Sequence, residues 1–335
     1  MLLITATAFS PFLARGQIDP VRRELFQFGY NQPLEGHPPL SAYAFYYRNQ
    51  PEFWQTNWTL RLAVAPTYLD SELGIRHLLG PNTDMGFGLA GGGFADSYYE
   101  IRQGKYRPKE SFDGYGGDVN TSIYHCFNPS QEIPLNGVLR GIAHFSTYDH
   151  TSDTAPNFQV PPDTGSFIVR TGLRWGGKEP VLYPSLAMEL SAWYQGEFRT
   201  ESETYGFGDR RIQPYSHLFW GEALLAYTLP ELKHNFYVSM TVGTTVNADR
   251  FSTYRLGALL PLSAEYPLSL PGYYYQEISA ESFVLFGGNY IIPLDRQRHW
   301  HVNATASTAV VDYLPGLEQP GNWHSGVGGG IFYTS

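Results

Sequence analysis

The sequence predicts an all-β fold, a single antiparallel transmembrane β-barrel of about 12 strands. Three observations predict it: apolar and polar residues alternate over many segments, short turns alternate with long loops, and the composition is rich in aromatic residues but poor in charge. Aromatic residues make up 16% of the 335 residues and charged residues 16%, against about 25% charged in average soluble domains. No run of apolar residues is long enough for a transmembrane helix.

Composition also excludes some functions. The formal net charge is −9, which argues against nucleic-acid binding, because phosphate contacts need a basic face. Cys126 is the only cysteine, so no disulfide can form within the chain and no zinc motif of paired cysteines exists. We therefore expect neither a metal site nor a cofactor.

Alternation is the strongest signal, since successive side chains of a strand point to opposite faces. Segment 235–245 places apolar residues on one face and small or polar residues on the other: Phe236, Val238, Met240 and Val242 against Tyr237, Ser239, Thr241 and Gly243. Segments 184–195, 301–311 and 59–68 alternate in the same way. A barrel wall between lipid and a polar lumen needs this pattern, whereas a soluble β-sandwich, the competing fold, predicts shorter strands.

Twelve segments follow this pattern. They lie near residues 41–49, 58–69, 84–95, 115–127, 137–148, 165–176, 184–196, 216–228, 235–246, 281–292, 301–312 and 325–334. Most approach the length of a tilted strand that crosses a bilayer.

The connections predict the orientation of the barrel. Residues 128–136, 177–183, 229–234 and 293–300 are short and turn-like, and residues 96–114, 149–164, 197–215 and 247–280 are long. Outer-membrane barrels pair short periplasmic turns with long external loops. We expect loop 247–280 to plug part of the lumen, and only connection 50–57 is shorter than the pattern requires.

The first residues predict export. Segment 1–16 has a short apolar region, with Ala14 and Gly16 flanking a candidate cleavage site as in a secretory signal peptide, although no Lys or Arg follows Met1 directly; the alternative is a disordered tail. Residues 17–39 are polar and rich in proline, which favours a periplasmic lead-in. The barrel is expected over residues 40–335.

Aromatic residues near the strand ends indicate membrane interfaces, where Trp and Tyr are enriched. The expected girdle residues are Tyr46, Tyr47, Trp54, Trp58, Trp175, Trp193, Trp220, Trp300 and Trp323. The alternative is the general preference of strands for aromatic residues.

Charged residues inside the strands should face the lumen, because an Arg or Lys facing lipid costs about 2–4 kcal/mol at mid-membrane. The lumen-lining candidates are Arg61, Arg140, Arg174, Glu189 and Glu222. In a narrow barrel such residues fill and stiffen the interior; the alternative is a selectivity or gating lining.

His144 and Ser146 are the candidate catalytic pair, since residues two apart share one face of a strand. Some outer-membrane acyl hydrolases use such a pair, in which the His removes the Ser proton and a third group orients the His. Candidates for that third group are Asp149, His150, Asp153, Glu189 and Glu222. The competing interpretation, which we favour, is a polar lumen lining without chemistry.

Charged residues in loops 96–114 and 197–215 are expected to be solvated, with contact between basic side chains and lipopolysaccharide phosphates as the alternative. Asp113, Asp118 and Asn120 lie in a glycine-rich stretch. Their oxygens suit calcium, but the spacing fits no EF-hand, so a turn is the preferred interpretation.

The stretch Tyr254-Arg255-Leu256-Gly257, the tip Leu270-Pro271-Gly272-Tyr273 and the strand ending Tyr290-Ile-Ile-Pro293-Leu294 resemble the bacterial surface antigen family. That family supplies the barrels of outer-membrane assembly insertases and related secretion proteins. The resemblance covers about 40 residues. It implies a late loop folded into the lumen through Arg255, Gly257, Pro271, Gly272 and Tyr273.

The sequence departs from the family in three places. Pro271 stands where the family has an inward-folding arginine, and we expect no periplasmic repeat domains in the short stretch before the first predicted strand. The family also continues for another hairpin after the strand that matches 325–334. We therefore expect either a twelve-stranded barrel or a sequence that ends before strands 13 and 14, an even count in both cases.

Three function classes follow, all in a bacterial outer membrane with its bilayer and lipopolysaccharide as surroundings. The first is a non-enzymatic transport, pore-like or structural barrel. The second is an assembly or secretion barrel like the resembled family. The third is a membrane-embedded lipid acyl hydrolase that uses His144 and Ser146. Composition and alternation favour them in that order, so we expect no enzyme activity.

Overall fold

The computed structural model describes residues 18–30, 42–177, 185–258 and 268–333. In these ranges the regular structure consists of antiparallel strands and one short 3₁₀ helix, Pro108–Glu110. No helix in the described ranges is long and apolar enough to cross a membrane. The expected signal peptide, residues 1–16, and residues 31–39 of the expected lead-in lie outside them.

The described ranges contain 19 strands. The first seven are β1 (Arg23–Tyr30), β2 (Ala42–Pro51), β3 (Trp58–Ala65), β4 (Tyr68–Ile75), β5 (Thr83–Gly92), β6 (Ile101–Arg102) and β7 (Lys105–Tyr106). The next six are β8 (Phe112–Cys126), β9 (Leu135–His150), β10 (Thr164–Gly177), β11 (Leu186–Arg199), β12 (Thr204–Tyr205) and β13 (Arg210–Arg211). The last six are β14 (Tyr215–Thr228), β15 (Asn235–Val246), β16 (Tyr254–Leu256), β17 (Ile278–Pro293), β18 (Trp300–Tyr313) and β19 (Trp323–Tyr333).

One sheet contains 15 of these strands, and its order follows the chain: β1-β2-β3-β4-β5-β8-β9-β10-β11-β14-β15-β17-β18-β19. The short strand β16 pairs beside β17, and β6–β7 and β12–β13 form small hairpins within loops. This up-and-down order is the one predicted. No ladder joins β1 to β19 in the part of the chain that the structure describes, so closure of the sheet into a barrel stays a prediction.

The path of the sheet has two strands more than the twelve segments recognised in the sequence. β1 lies in the expected lead-in, where it pairs with β2 from Arg23↔Asn49 to Tyr30↔Ala42. β4 follows β3 after only two residues, and the sequence interpretation merged its start with β3 as one segment, 58–69. A two-residue turn is too short to interrupt the alternation that runs from β3 into β4.

The extra strand β4 also corrects the pattern of connections. With β4 in place, residues 52–57 and 76–82 join strands at the same end of the sheet as turns 127–134, 229–234 and 294–299. We call this the short-turn end. The long loops 93–111, 151–163, 200–214 and 247–277 lie at the opposite, long-loop end. Connection 52–57 is therefore a normal short turn.

The two faces of the sheet differ in chemistry. On β8, Ser122, Tyr124 and Cys126 are buried on one face, while Val119 on the other is 56% exposed. Residues paired across neighbouring strands share a face. The register of the sheet therefore shows on which face each residue of the other strands lies. We call the two sides the polar face and the apolar face.

The apolar face carries large exposed hydrophobic residues from strand to strand. Its members include Leu89, Leu139, Phe145, Phe167, Leu173, Leu190, Leu225, Val238, Met240, Phe286, Val310 and Ile331. Aromatic residues cluster near the short-turn end, where Phe236 stacks on Tyr290 at 4.5 Å and Trp300 meets Tyr333 at 5.2 Å. An apolar band bordered by aromatic residues is typical of a lipid-facing barrel wall.

Three expected girdle residues lie on the polar face instead. Tyr47 pairs with Ala63 on the same face as Arg61. Trp193 and Trp220 stack against each other, 6.0 Å apart and almost parallel, and Trp220 is buried. The girdle prediction is therefore wrong for these three residues. The physical reason is that loop residues cover this part of the polar face and give the two indoles an apolar environment.

Candidate functional site

The charged residues predicted to line a lumen all project from the polar face. Arg140 donates to Ser122 Oγ at 2.7 Å and to Tyr124 Oη at 2.8 Å, and it lies 3.3 Å from Glu72 Oε2. Arg61 lies 3.7 Å from the same carboxylate oxygen. The cluster ties β3, β4, β8 and β9 together across the polar face, which stiffens the wall.

A second pair lies further along the same face. Arg174 Nε is 3.0 Å from Glu189 Oε2, which joins β10 to β11. Glu222 on β14 is half-buried and stands opposite Ser191 and Thr241 in the register of the sheet. These charges are separated along the wall, and no group of metal-ligating side chains that could hold an ion occurs in the described ranges.

His144 and Ser146 share the polar face, and the third member of their cluster is Asp96, from loop 93–111. Ser146 Oγ donates to Asp96 Oδ2 at 2.6 Å. His144 Nε2 lies 2.9 Å from the same carboxylate oxygen and 2.9 Å from Ser146 Oγ. A Cβ at Gly116 would overlap the Asp96 carboxylate, so this glycine is what lets the loop reach the wall.

These contacts hold loop 93–111 against the wall. The Ser146 hydroxyl donates a hydrogen bond to Asp96, and Ser146 is only 6% exposed. His144 Nδ1 is 4.0 Å from Asp118 Oδ2, beyond hydrogen-bond distance. His150, a predicted third partner, instead contacts the backbone oxygen of Phe158.

The proposed calcium stretch is part of β8, so the turn interpretation of these residues is wrong. Asp118 and Asn120 project from the polar face, where the Asn120 amide donates to Asp118 Oδ1 at 3.0 Å. Asp113 is an odd number of residues away in the same strand and therefore projects from the opposite face. The three side chains cannot share one ion.

Loop 247–277 packs onto the polar face of the C-terminal strands. Tyr254, Leu256 and Leu270 are 0–1% exposed, and the Tyr254 hydroxyl donates to the backbone oxygen of Phe219 at 2.9 Å. The apolar residues that cover or receive the loop form one cluster: Leu218, Trp220, Tyr254, Leu256, Leu268, Leu270, Ile278, Ala280, Phe283, Leu285, Ala309, Val311 and Tyr313. The loop therefore fills the space in front of β14, β17 and β18.

The tip of this loop reaches the last strand. The carbonyl oxygen of Pro271 lies where a Cβ of Gly326 would be. Gly272 follows with open space around it, and the Tyr273 hydroxyl lies 3.2 Å from His324 Nδ1. A glycine in β19 is thus required for the loop to dock.

Arg255 makes inward contacts, whereas Pro271 stands where the resembled family has its inward-folding arginine. Its guanidinium donates to the backbone oxygens of Gln276 at 2.9 Å and Tyr99 at 3.2 Å, and its Cζ lies 4.8 Å from the centre of the Tyr98 ring. Burial raises the pKa of Tyr98 to about 12, so the ring stays neutral and offers its π face to the cation. Gly257 bridges to Ser269 within the loop.

Three loops meet in a buried ion cluster, although the sequence predicted that loops 96–114 and 197–215 would be solvated. Arg210 and Glu100 have fully buried side chains, and their closest atoms are 3.5 Å apart. Arg210 also pairs with Glu110. Arg102 and Arg250 reach Glu100 at 3.2 and 3.4 Å. Ion pairs between loops 93–111, 200–214 and 247–277 thus take the place of hydration for these buried charges.

Residues before β1 cover the opposite, short-turn end of the polar face. Ile18 is 5% exposed and packs with Tyr124, Val138 and Trp193. The Asn49 amide donates to the backbone oxygens of Asp19 at 2.9 Å and Val21 at 2.7 Å, which holds the segment in place. Both ends of the polar face are therefore covered by parts of the same chain.

The sequence interpretation missed Asp96, Glu100, Arg210 and Ile18. Charged residues in glycine-rich loops resemble ordinary solvated residues in sequence, because alternation gives no signal outside strands. One signal was present: Gly114 and Gly116 interrupt the start of β8, and glycine inside a strand marks a close backbone approach.

Comparison with known proteins supports the fold. No protein-family model matches the sequence, and no curated protein matches it. BamA from Haemophilus ducreyi, in a crystal structure lacking POTRA domains 1-3, aligns with a TM-score of 0.53 at 11% identity, over 94% of this chain and 65% of that chain. CdiB from Acinetobacter baumannii aligns with a TM-score of 0.57 at 10% identity, over 94% of this chain and 60% of that chain.

At these identities the likeness concerns the fold alone, and this chain spans less than two thirds of the length of either protein. It supports the predicted all-β fold and the antiparallel order of the sheet. The chain has the fold of a BamA-type barrel.

Proposed function

We propose that the chain is an integral barrel of a bacterial outer membrane, that its own loops close the interior at rest, and that it belongs to the assembly or secretion class. The apolar face and its aromatic borders support the membrane location. The BamA-type fold supports the class, since the family resembled in the sequence supplies assembly and secretion barrels. A pore that is always open would need a clear polar interior.

The packing of loop 247–277 is the observation that carries the proposal. Leu256 is fully buried against the C-terminal strands, and Leu270 is fully buried beside it. The Asp96 contacts and the Arg210 cluster add two more loops above the same space. Because apolar burial of whole side chains is worth about 1.5–3 kcal/mol each, the closed state is the stable one.

Planar-bilayer conductance tests this proposal. Leu256→Asp places an unpaired charge in the buried cluster, which costs on the order of several kcal/mol and should undock the loop. Leu256→Met keeps the volume and should cost under about 1.5 kcal/mol. We expect the native chain and Leu256→Met to show almost no steady conductance, and Leu256→Asp to show long open events.

Folding of each protein is checked first by the faster migration of the unboiled chain on a detergent gel. A native chain that conducts steadily, at the level of folded Leu256→Asp, would show an open pore and refute the closed interior. A native chain that stays soluble without detergent and does not enter vesicles would refute the membrane location.

A further inference from the structure

Three histidines lie at the borders of the apolar face, and they share one arrangement. His217 on β14 lies near the long-loop end, and its Nδ1 is 2.9 Å from the hydroxyl of Tyr194. His125 on β8 lies near the short-turn end, and its Nδ1 is 2.8 Å from Thr83 Oγ1. His234 ends a short turn, and its Nδ1 bonds the hydroxyl of Tyr290.

Aromatic rings fix each of these imidazoles. His217 lies 6.0 Å from the Tyr194 ring in a stacked arrangement, with Phe198 and Tyr215 at 6.4 and 5.9 Å. Phe127 packs edge-on at 4.7 Å from His125. All three histidines are half-buried, so the ring planes are held while one edge stays accessible.

The accessible edge carries Nε2. When the hydroxyl donates to Nδ1, the neutral ring has its hydrogen on Nε2, and a protonated ring has a hydrogen there as well. In the described ranges Nε2 of these three histidines has no protein partner. Three histidines of the polar face differ: Nε2 of His144 contacts Asp96, Nε2 of His150 contacts Phe158 O, and Nε2 of His324 contacts Tyr313.

We infer that His125, His217 and His234 bind the phosphate oxygens of membrane lipids through Nε2–H. This inference rests on the proposed membrane location. Lipid headgroups are what lies beside the borders of an apolar wall, and phosphate is the acceptor with the most negative charge at that depth. A polar imidazole on a lipid-facing wall would otherwise lose hydrogen bonds to water without replacement.

The two borders face different lipids. His125 and His234 lie at the short-turn end, where a phospholipid supplies the phosphate. His217 lies at the long-loop end, where the outer leaflet offers the phosphorylated diglucosamine of lipopolysaccharide. The chemistry is the same at both borders, and the test separates the two sources.

The experiment measures how many lipids each folded chain retains, by native mass spectrometry after reconstitution in nanodiscs. The variants are the double His125→Phe/His234→Phe and the single His217→Phe, since Phe keeps the ring and its packing. His77→Phe is the matched control: His77 also lies in a short turn, but its Nδ1 faces Asp84 at 3.8 Å and no hydroxyl. Unboiled gel migration confirms that every variant folds.

We expect the double variant to retain phosphatidylglycerol roughly tenfold more weakly than the native chain, the effect of losing charge-assisted hydrogen bonds. The double variant should retain a phosphate-free galactolipid as strongly as the native chain does. The His77→Phe control should retain phosphatidylglycerol as strongly as the native chain does. His217→Phe should weaken retention of added lipid A by a similar factor and leave dephosphorylated lipid A unaffected.

Equal retention of phosphatidylglycerol by the native chain and the double variant would overturn the inference. So would an equal loss of the galactolipid, since the rings would then act only by packing. A native chain that does not enter nanodiscs would instead refute the membrane location itself, and with it this inference. Normal insertion with unchanged retention refutes the histidine contacts alone.

Discussion

Gly326 decides where the late loop can dock, because a side chain there would overlap the carbonyl oxygen of Pro271. The sequence comparison drew attention to Pro271 as the residue that replaces an arginine of the resembled family. The structure gives the reason: the loop tip lies against backbone, where an arginine side chain has no room. Arg255 reaches inward from another part of the loop.

Gly326→Ala should therefore loosen the loop tip. Overpacking of this kind costs about 1–3 kcal/mol, which raises the ratio of open to closed states by roughly 5–150-fold. Single-channel recording should show correspondingly more frequent open events. Gly93→Ala is the control, because its Cβ would meet only Tyr115 Cδ1 at 4.0 Å. Identical recordings for the two variants would contradict the docking of the tip on β19.

At the residue level, strand periodicity predicts which face a side chain takes, and that the charged strand residues line a lumen stays a prediction. The alternation correctly placed Arg61, Arg140, Arg174, Glu189 and Glu222 on one face, since side-chain direction in a strand follows from position alone. Pairing with Asp96 was not predictable for His144 and Ser146, because loop 93–111 has no period. Their role as lumen lining or as a loop contact stays a prediction.

At the scale of elements, the sequence predicted all the long strands except β1 and β4, because each of the others has a clear period of two. β4 was missed because a two-residue turn separates it from β3, which is too short to interrupt the pattern. β1 was missed because exposed Phe26 and Phe28 lie in a proline-rich stretch that reads as a linker. The strand is formed by pairing with β2, and this pairing cannot be predicted from the sequence of β1 alone.

The contact of loop 93–111 with the wall is also testable at this scale. Asp96→Ala removes the acceptor shared by His144 and Ser146, and hydrogen bonds to a charged group are worth about 1.5–3 kcal/mol. The loop contains trypsin sites at Arg102, Lys105 and Lys109. Since proteolysis follows the population of the open loop, we expect cleavage there to accelerate by roughly 10–150-fold.

The exposed residue Asp163, at the end of the neighbouring long loop, gives the matched control Asp163→Ala, which should leave cleavage unchanged. Ser146→Ala should accelerate cleavage in the same direction as Asp96→Ala, by a smaller factor. If Ser146→Ala abolished an ester hydrolysis that the native chain performs, with no change in cleavage, the loop contact would not be the role of this pair.

At the scale of the whole molecule, the sequence predicted the antiparallel sheet and missed the loop packing on its polar face. Alternation is a local pattern within one strand. The buried ion cluster instead joins residues that are far apart in the chain, since Arg210 pairs with Glu110, 100 positions away. No local pattern encodes such a contact. The same limit applies to Ile18, which packs on residues of β8, β9 and β11.

Removal of Arg210 should weaken the entire molecule. Arg210→Met leaves Glu100 buried with one cation fewer, and breaking a buried pair costs about 3–5 kcal/mol. On detergent gels the folded band of this variant should convert to the unfolded band at a lower temperature than the native band. Arg211 is exposed, so the folded band of Arg211→Met should convert at the same temperature as the native band. If the folded bands of both variants converted at the same temperature, the cluster would not stabilise the fold.

The hydrogen bond from Gly104 N to Gln319 Oε1, 2.7 Å long, joins residues 215 positions apart. Such a contact can form only late in folding, because loop closure over long separations costs entropy that earlier contacts must offset. Loops 93–111 and 247–277 occupy space that the growing wall would otherwise enclose. Since Gln319 lies between β18 and β19, loop 93–111 can make this contact only when the C-terminal strands are in place, so its final position reports on the last step of assembly.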